Sequence, residues 1–181
     1  MDGHLANGGS ASDSKYTKLQ SKKNSAKAGT QMMDMIITGI SNIANDANYY
    51  TFNSNNVNSS SLEMFSASKN SDGTTTFTIN YISGAGDGYL FHELYHGTEA
   101  VLGTLVPDWT KAIGGKTTQY LHPGSSYLSS EKVAYQIQFM LQPNTLPGNG
   151  QMQKIKTFMD VTRGYLRTIK DKSGNLVYPN I

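Results

Sequence analysis

Five consecutive residues, His92-Glu93-Leu94-Tyr95-His96, constrain this chain more than any other stretch. On an α-helix, positions four apart differ by ~40° in direction and ~6 Å in height, so His92 and His96 can aim both imidazoles at one cation. The motif is therefore expected on a helix with a core on one side and the two histidines on a separate stripe. Its neighbours agree: Phe91, Leu94, Thr98, Val101 and Leu102 mark an apolar side, while His92, His96 and Glu99 share another. Glu93, one residue past His92, falls beside a shared cation rather than on it, where its carboxylate can accept a proton from water.

Composition limits what could fill such a site. There is no cysteine, so disulfides, thiolate metal sites and cysteine nucleophiles are excluded and any metal falls to His, Asp or Glu. A net charge of +2, from 15 basic and 13 acidic residues spread along the chain, offers no field for nucleic acid. No apolar run approaches the ~18 residues of a membrane span, and the start at Met1-Asp2-Gly3-His4 lacks the pattern of a signal peptide. The expectation is a soluble chain whose compartment stays open.

With 181 residues, 37% of them hydrophobic, one domain is expected, of α+β class. Residues 1–27 read as a flexible polar tail or linker, since only Leu5, Tyr16 and Leu19 offer apolar surface, and residues 28–181 read as the domain. If 1–27 is a linker, the chain is the end piece of a longer polypeptide. Ile36, Ile37, Ile40, Ile43 and Ala47 predict a first helix from Met33, packed behind the site. Tyr49 to Phe52, Leu62 to Ala67 and Thr74 to Ile82 predict a short antiparallel sheet. In its last strand Phe77, Ile79 and Tyr81 face one way; Thr76, Thr78 and Asn80 face the other, as an edge able to pair with an extended peptide. The motif helix is expected from about Tyr89 to Leu102, with Asp87 as a cap. Ser129-Ser130 can cap a helix from Glu131 to Leu141, buried through Val133, Ile137, Met140 and Leu141. A last helix spans Met152 to Leu166, and Ser173-Gly174-Asn175 turns a terminal hairpin with Leu176 to Tyr178.

A hydrolytic metal site needs a third protein ligand. Glu131 is the leading candidate: the polar stripe Glu131, Tyr135 and Gln138 lies opposite Val133 and Ile137, and Ala134 permits close approach to the motif helix. A Glu in a first helical turn is also favoured by the helix dipole alone, and His122 in Leu121-His122-Pro123 competes for the role. Glu99 suits a supporting position, orienting a histidine. Tyr135, one turn beyond Glu131, can donate to a developing oxyanion, with Tyr120 and His122 as alternatives.

These residues resemble the zincin metallopeptidases. The late Glu131 on a separate helix looks most like the gluzincin branch, with its His, His and Glu ligands. The resemblance runs from the strand at Thr74 to about Leu141, and only His92, Glu93 and His96 match a specific motif. Glu99 stands where the metzincin extension has Gly, and Ser130-Glu131-Lys132-Val133-Ala134-Tyr135 departs from the thermolysin-like Asn-Glu pattern. The resemblance implies Zn2+ held by His92, His96 and Glu131, Glu93 as general base, and hydrolysis of a peptide or protein substrate. The small size and polar lead-in are also similar to metallopeptidase domains at the ends of bacterial polymorphic toxins or secreted effectors, which implies a larger parent polypeptide or an inhibitor protein as partner. Three other readings compete: a catalytically silent zincin-like binding module, a metal-dependent hydrolase of a non-peptide substrate, and a surface helix without metal.

Overall fold

A computed structural model of the chain describes residues 14–55, 65–82, 86–143, 155–170 and 173–178. Its architecture is α+β, as expected. The main sheet runs β1-β3-β2-β5, with β1 at Tyr49–Asn55, β2 at Phe65–Lys69, β3 at Thr75–Ile82 and β5 at Lys116–Thr117. β2 and β3 form an antiparallel hairpin that sets Phe65 opposite Ile79 and Ala67 opposite Phe77. Its turn is closed by Asp72, which accepts from the Thr74 amide and hydroxyl, and by Gly73 at φ +87°.

The sheet is mixed rather than an antiparallel meander, because β1 runs parallel to β3. β2 lies on the other side of β3, inside the crossover that a parallel pair requires. The polar face of β3 accordingly pairs within the sheet. Thr51 Oγ1 lies 3.1 Å from Thr78 Oγ1, and Asn53 Nδ2 donates to Asn80 Oδ1 at 3.2 Å. β3 is thus an interior strand, which overturns the reading of Thr76, Thr78 and Asn80 as a free edge.

Helix α1 spans Ser14–Ala44 and begins well before Met33. Counting apolar residues alone conceals this, since the Lys, Gln and Ala residues between Lys15 and Ala28 favour helix by backbone propensity. The 1–27 tail is therefore helical from Ser14, and residues 1–13 lie outside those described. The chain divides into compact units of Met1–Met35 and Ile36–Ile181. In the second unit, the end of α1 packs on helix α2 (Asp87–Val101). Ile36 is buried, Gly39 approaches so closely that a Cβ there would run into Thr98, and Ile43 lies against Gly97. Ile37 and Ile40 point outward, so the contact stripe is narrower than the isoleucine pattern predicts.

Asp87 opens α2 in its first turn instead of capping it, and Gly86 precedes it at φ +96°. Every residue from His92 to Glu99 is buried, while Leu102, expected in the core, is exposed. Helix α3 (Tyr127–Leu141) starts a turn earlier than predicted, because Ser126 is the cap and accepts from the Ser129 amide. Between α2 and α3, strands β4 (Val106–Pro107) and β6 (Tyr120–Leu121) pair antiparallel and hold the intervening loop.

The predicted helix Met152–Leu166 is replaced, in its described part, by a 3-10 turn at Phe158–Asp160 and a one-turn helix α4 (Arg163–Leu166). Local caps divide it: Asp160 accepts from the Lys156 and Thr157 amides, and Thr162 Oγ1 from the Tyr165 amide. Val161, Tyr165, Leu166, Ile169 and Tyr178 then pack on Leu128 and Tyr135 of α3. The terminal hairpin forms, with a bridge between Lys170 and Leu176 and the Val177 amide donating to the Ile169 carbonyl. No helix among the described residues is long and apolar enough to cross a membrane.

Candidate metal centre

Adjacent packing of α2 and α3 brings His92, His96 and Glu131 together, each only 6% exposed. Nε2 of His92 lies 3.5 Å from Glu131 Oε2, and Nε2 of His96 lies 3.4 Å from Glu131 Oε1. One donor atom from each of the three falls within 4.8 Å of the others, so the group could hold a metal ion. Bonds of ~2.0–2.2 Å to a tetrahedral cation place neighbouring donors ~3.3–3.6 Å apart, a range that holds both histidine–glutamate distances, each to a different oxygen of the carboxylate. Glu131 is in the second turn of α3, so a dipole preference for the first turn does not account for it. His122 lines the same cavity but stands outside this three-residue group.

Two buried groups fix His96. Glu99 Oε2 lies 3.1 Å from His96 Nδ1, and the Ser130 hydroxyl donates to the same carboxylate oxygen at 2.5 Å. An Nδ1–H donated to Glu99 leaves Nε2, which faces Glu131, as the nitrogen that a metal would take on displacing its proton. Glu131 has its own support, since the Tyr178 hydroxyl donates to Oε2 at 2.9 Å. Tyr178 Oη also lies 3.2 Å from Tyr135 Oη, and the Tyr135 ring stands edge-on to His92 at 4.5 Å. Among the described residues His92 Nδ1 is buried without a partner.

The protein groups perturb one another strongly. Burial opposes charge on His96, but the Glu131 and then Glu99 carboxylates override it and hold the imidazole well above its usual range. Burial likewise pushes Glu131 up, yet the charges and hydrogen bonds of His96 and His92 win, keeping it well below the ordinary carboxylate range. Glu93, whose Oε1 lies 3.9 Å from His92 Nε2, moves the other way: burial raises it against the lowering effect of both histidines. Burial and neighbouring charge thus move the two carboxylates in opposite directions, Glu131 down and Glu93 up.

A cavity of about 650 Å³ opens over His92, Glu93, His96 and Glu131. Phe65 and Tyr120 form one wall, their rings 5.4 Å apart, and Tyr127 and Tyr178 another, 5.7 Å apart. Tyr120 and His122 alternate with exposed Leu121, so both turn toward the cavity. Tyr120 Oη and His122 Nδ1 are buried with no hydrogen-bond partner among the described residues. Burial, then the charge of Glu93, raises the Tyr120 hydroxyl, while burial lowers His122. Tyr135 is buried in the cavity lining with its hydroxyl 3.2 Å from Tyr178 Oη, whereas the Tyr120 hydroxyl has no partner among the described residues. Ser130 and Tyr178 escaped the sequence reading. Ser130 resembled a cap, and nothing near Tyr178 in the chain marks it.

No family model matches the chain, and no curated protein or solved structure does so either.

Proposed function

We propose that the chain is a zinc-dependent endopeptidase of zincin type, with His92, His96 and Glu131 as ligands and Glu93 as general base. The observation that carries this reading is the buried approach of Glu131 to both motif histidines, at 3.5 and 3.4 Å, across two helices. Such a group without a cation would be a costly way to fill a core. Bound zinc would supply Lewis acidity, polarising the scissile carbonyl and acidifying water. Glu93 accepts the proton of the attacking water and returns it to the leaving amine. Its position one residue past His92 keeps its carboxylate at the cluster without making it one of the three ligands. Tyr120, with its free hydroxyl in the cavity, donates to the oxygen on which charge develops. Tyr135 braces the ring of His92 edge-on. The aromatic walls suit an extended peptide carrying apolar side chains, and Thr118, Gln119 and Tyr120 border the cavity next to the edge strand β5.

The test is hydrolysis of a mixed peptide library by the zinc-loaded chain, with products read by mass spectrometry. Wild type is expected to cut at internal bonds. Glu93→Gln should retain zinc and lose at least ~10²-fold in rate, the usual contribution of a general base. Undiminished cleavage by Glu93→Gln would sink the mechanism.

A further inference from the structure

Glu131 differs from the motif histidines in one physical respect. The terminal torsion of a glutamate is broad, so its two oxygens swing freely unless something outside the residue holds them. Among the described residues, Tyr127 on the same helix bonds this carboxylate, and so does the Tyr178 hydroxyl, which donates at 2.9 Å from 47 positions along the chain and is only 5% exposed. A side chain there for packing alone would need no hydroxyl, and a buried hydroxyl is costly unless it is bonded. Tyr178 is in turn pinned by its own segment. The Val177 amide donates to the Ile169 carbonyl, Lys170 bridges to Leu176, and the Tyr178 ring belongs to the core cluster on α3.

We infer that the C-terminal hairpin is part of the metal centre, with Tyr178 as the positioning residue that orients Glu131 toward zinc. This rests on reading His92, His96 and Glu131 as a zinc site, and it adds a regulatory consequence. Docking of residues 173–178 and zinc binding strengthen each other, because each favours the same orientation of Glu131. Whatever displaces that segment weakens the metal.

Zinc itself is the probe, titrated into the metal-free full chain against a chromophoric chelator. Tyr178→Phe, which keeps the ring, is expected to bind zinc ~10–100-fold more weakly, the usual cost of losing a ligand's supporting hydrogen bond. It should also change the visible spectrum of the cobalt-loaded protein, which a loss of packing elsewhere would not. Tyr50→Phe is the control. It removes another tyrosine hydroxyl bonded to a carboxylate, that of Asp46 at 2.6 Å, and should match wild type in both readouts. Equal affinity and equal cobalt spectra for wild type and Tyr178→Phe would overturn the inference and leave the zinc site standing. A wild type that takes up no zinc would overturn both. Should Tyr178→Phe not fold, amide exchange on wild type decides. Zinc-dependent protection of residues 176–178 supports the coupling, and unchanged exchange there overturns it.

Discussion

His96 and Glu131 face one another across 3.4 Å, yet they are held by different kinds of structure. Most of what fixes His96 is local: Glu99 sits three positions on, on the same helix, joined by Ser130 from the facing helix. Glu131 is bonded by Tyr127, four positions back on its own helix, and by Tyr178, 47 positions away on a hairpin that packs on α3. The first arrangement forms when α2 packs on α3. The second is complete only when the C-terminal segment has docked, so the histidine half of the centre is held by the helix pair and the glutamate half by the hairpin as well.

Substitutions can break or sharpen this contrast. The largest effect is expected from removing a ligand outright. His92→Ala should cost more zinc affinity than any supporting substitution, beyond the ~10–100-fold range, measured by competition with a chelator. Tyr178→Phe comes next, within that range. Glu99→Ala should cost less, near ~10-fold, because the Ser130 hydroxyl lies 3.3 Å from His96 Nδ1 and can take over as acceptor. A double variant of Tyr178→Phe and Glu99→Ala should lose the product of the two factors if the supports are independent. A smaller combined loss would mean that the two halves are one network. The smallest effect on the metal is expected from Gly39→Val. It crowds Thr98 on the back of α2 and should lower stability by ~1–3 kcal/mol in chemical denaturation, leaving the zinc affinity of the folded protein unchanged.

The same contrast explains what was legible in the sequence. The grouping of His92, Glu93 and His96 and the approach of Glu99 to His96 follow from helical spacing, and the residues stand where spacing placed them. Glu131 was legible more faintly, through the polar stripe opposite Val133 and Ile137, although its helix begins at Tyr127 and not at Glu131. Tyr178 was not, since no local pattern marks a partner contributed by a hairpin. Pairing was also hidden. The alternation in β3 identified buried Phe77 and Ile79 but not whether its neighbour runs parallel, so an interior strand was read as an edge. The start of α1 at Ser14 was missed because it rests on backbone propensity, to which apolar periodicity is blind.

The most direct test of the account is the metal content of the full chain, purified without chelator or metal-affinity resin and read by elemental mass spectrometry. Wild type is expected to carry near-stoichiometric zinc, lost in both His96→Ala and Glu131→Ala. Zinc absent from wild type even after it is added back, or retained in full by Glu131→Ala, would contradict the centre described above.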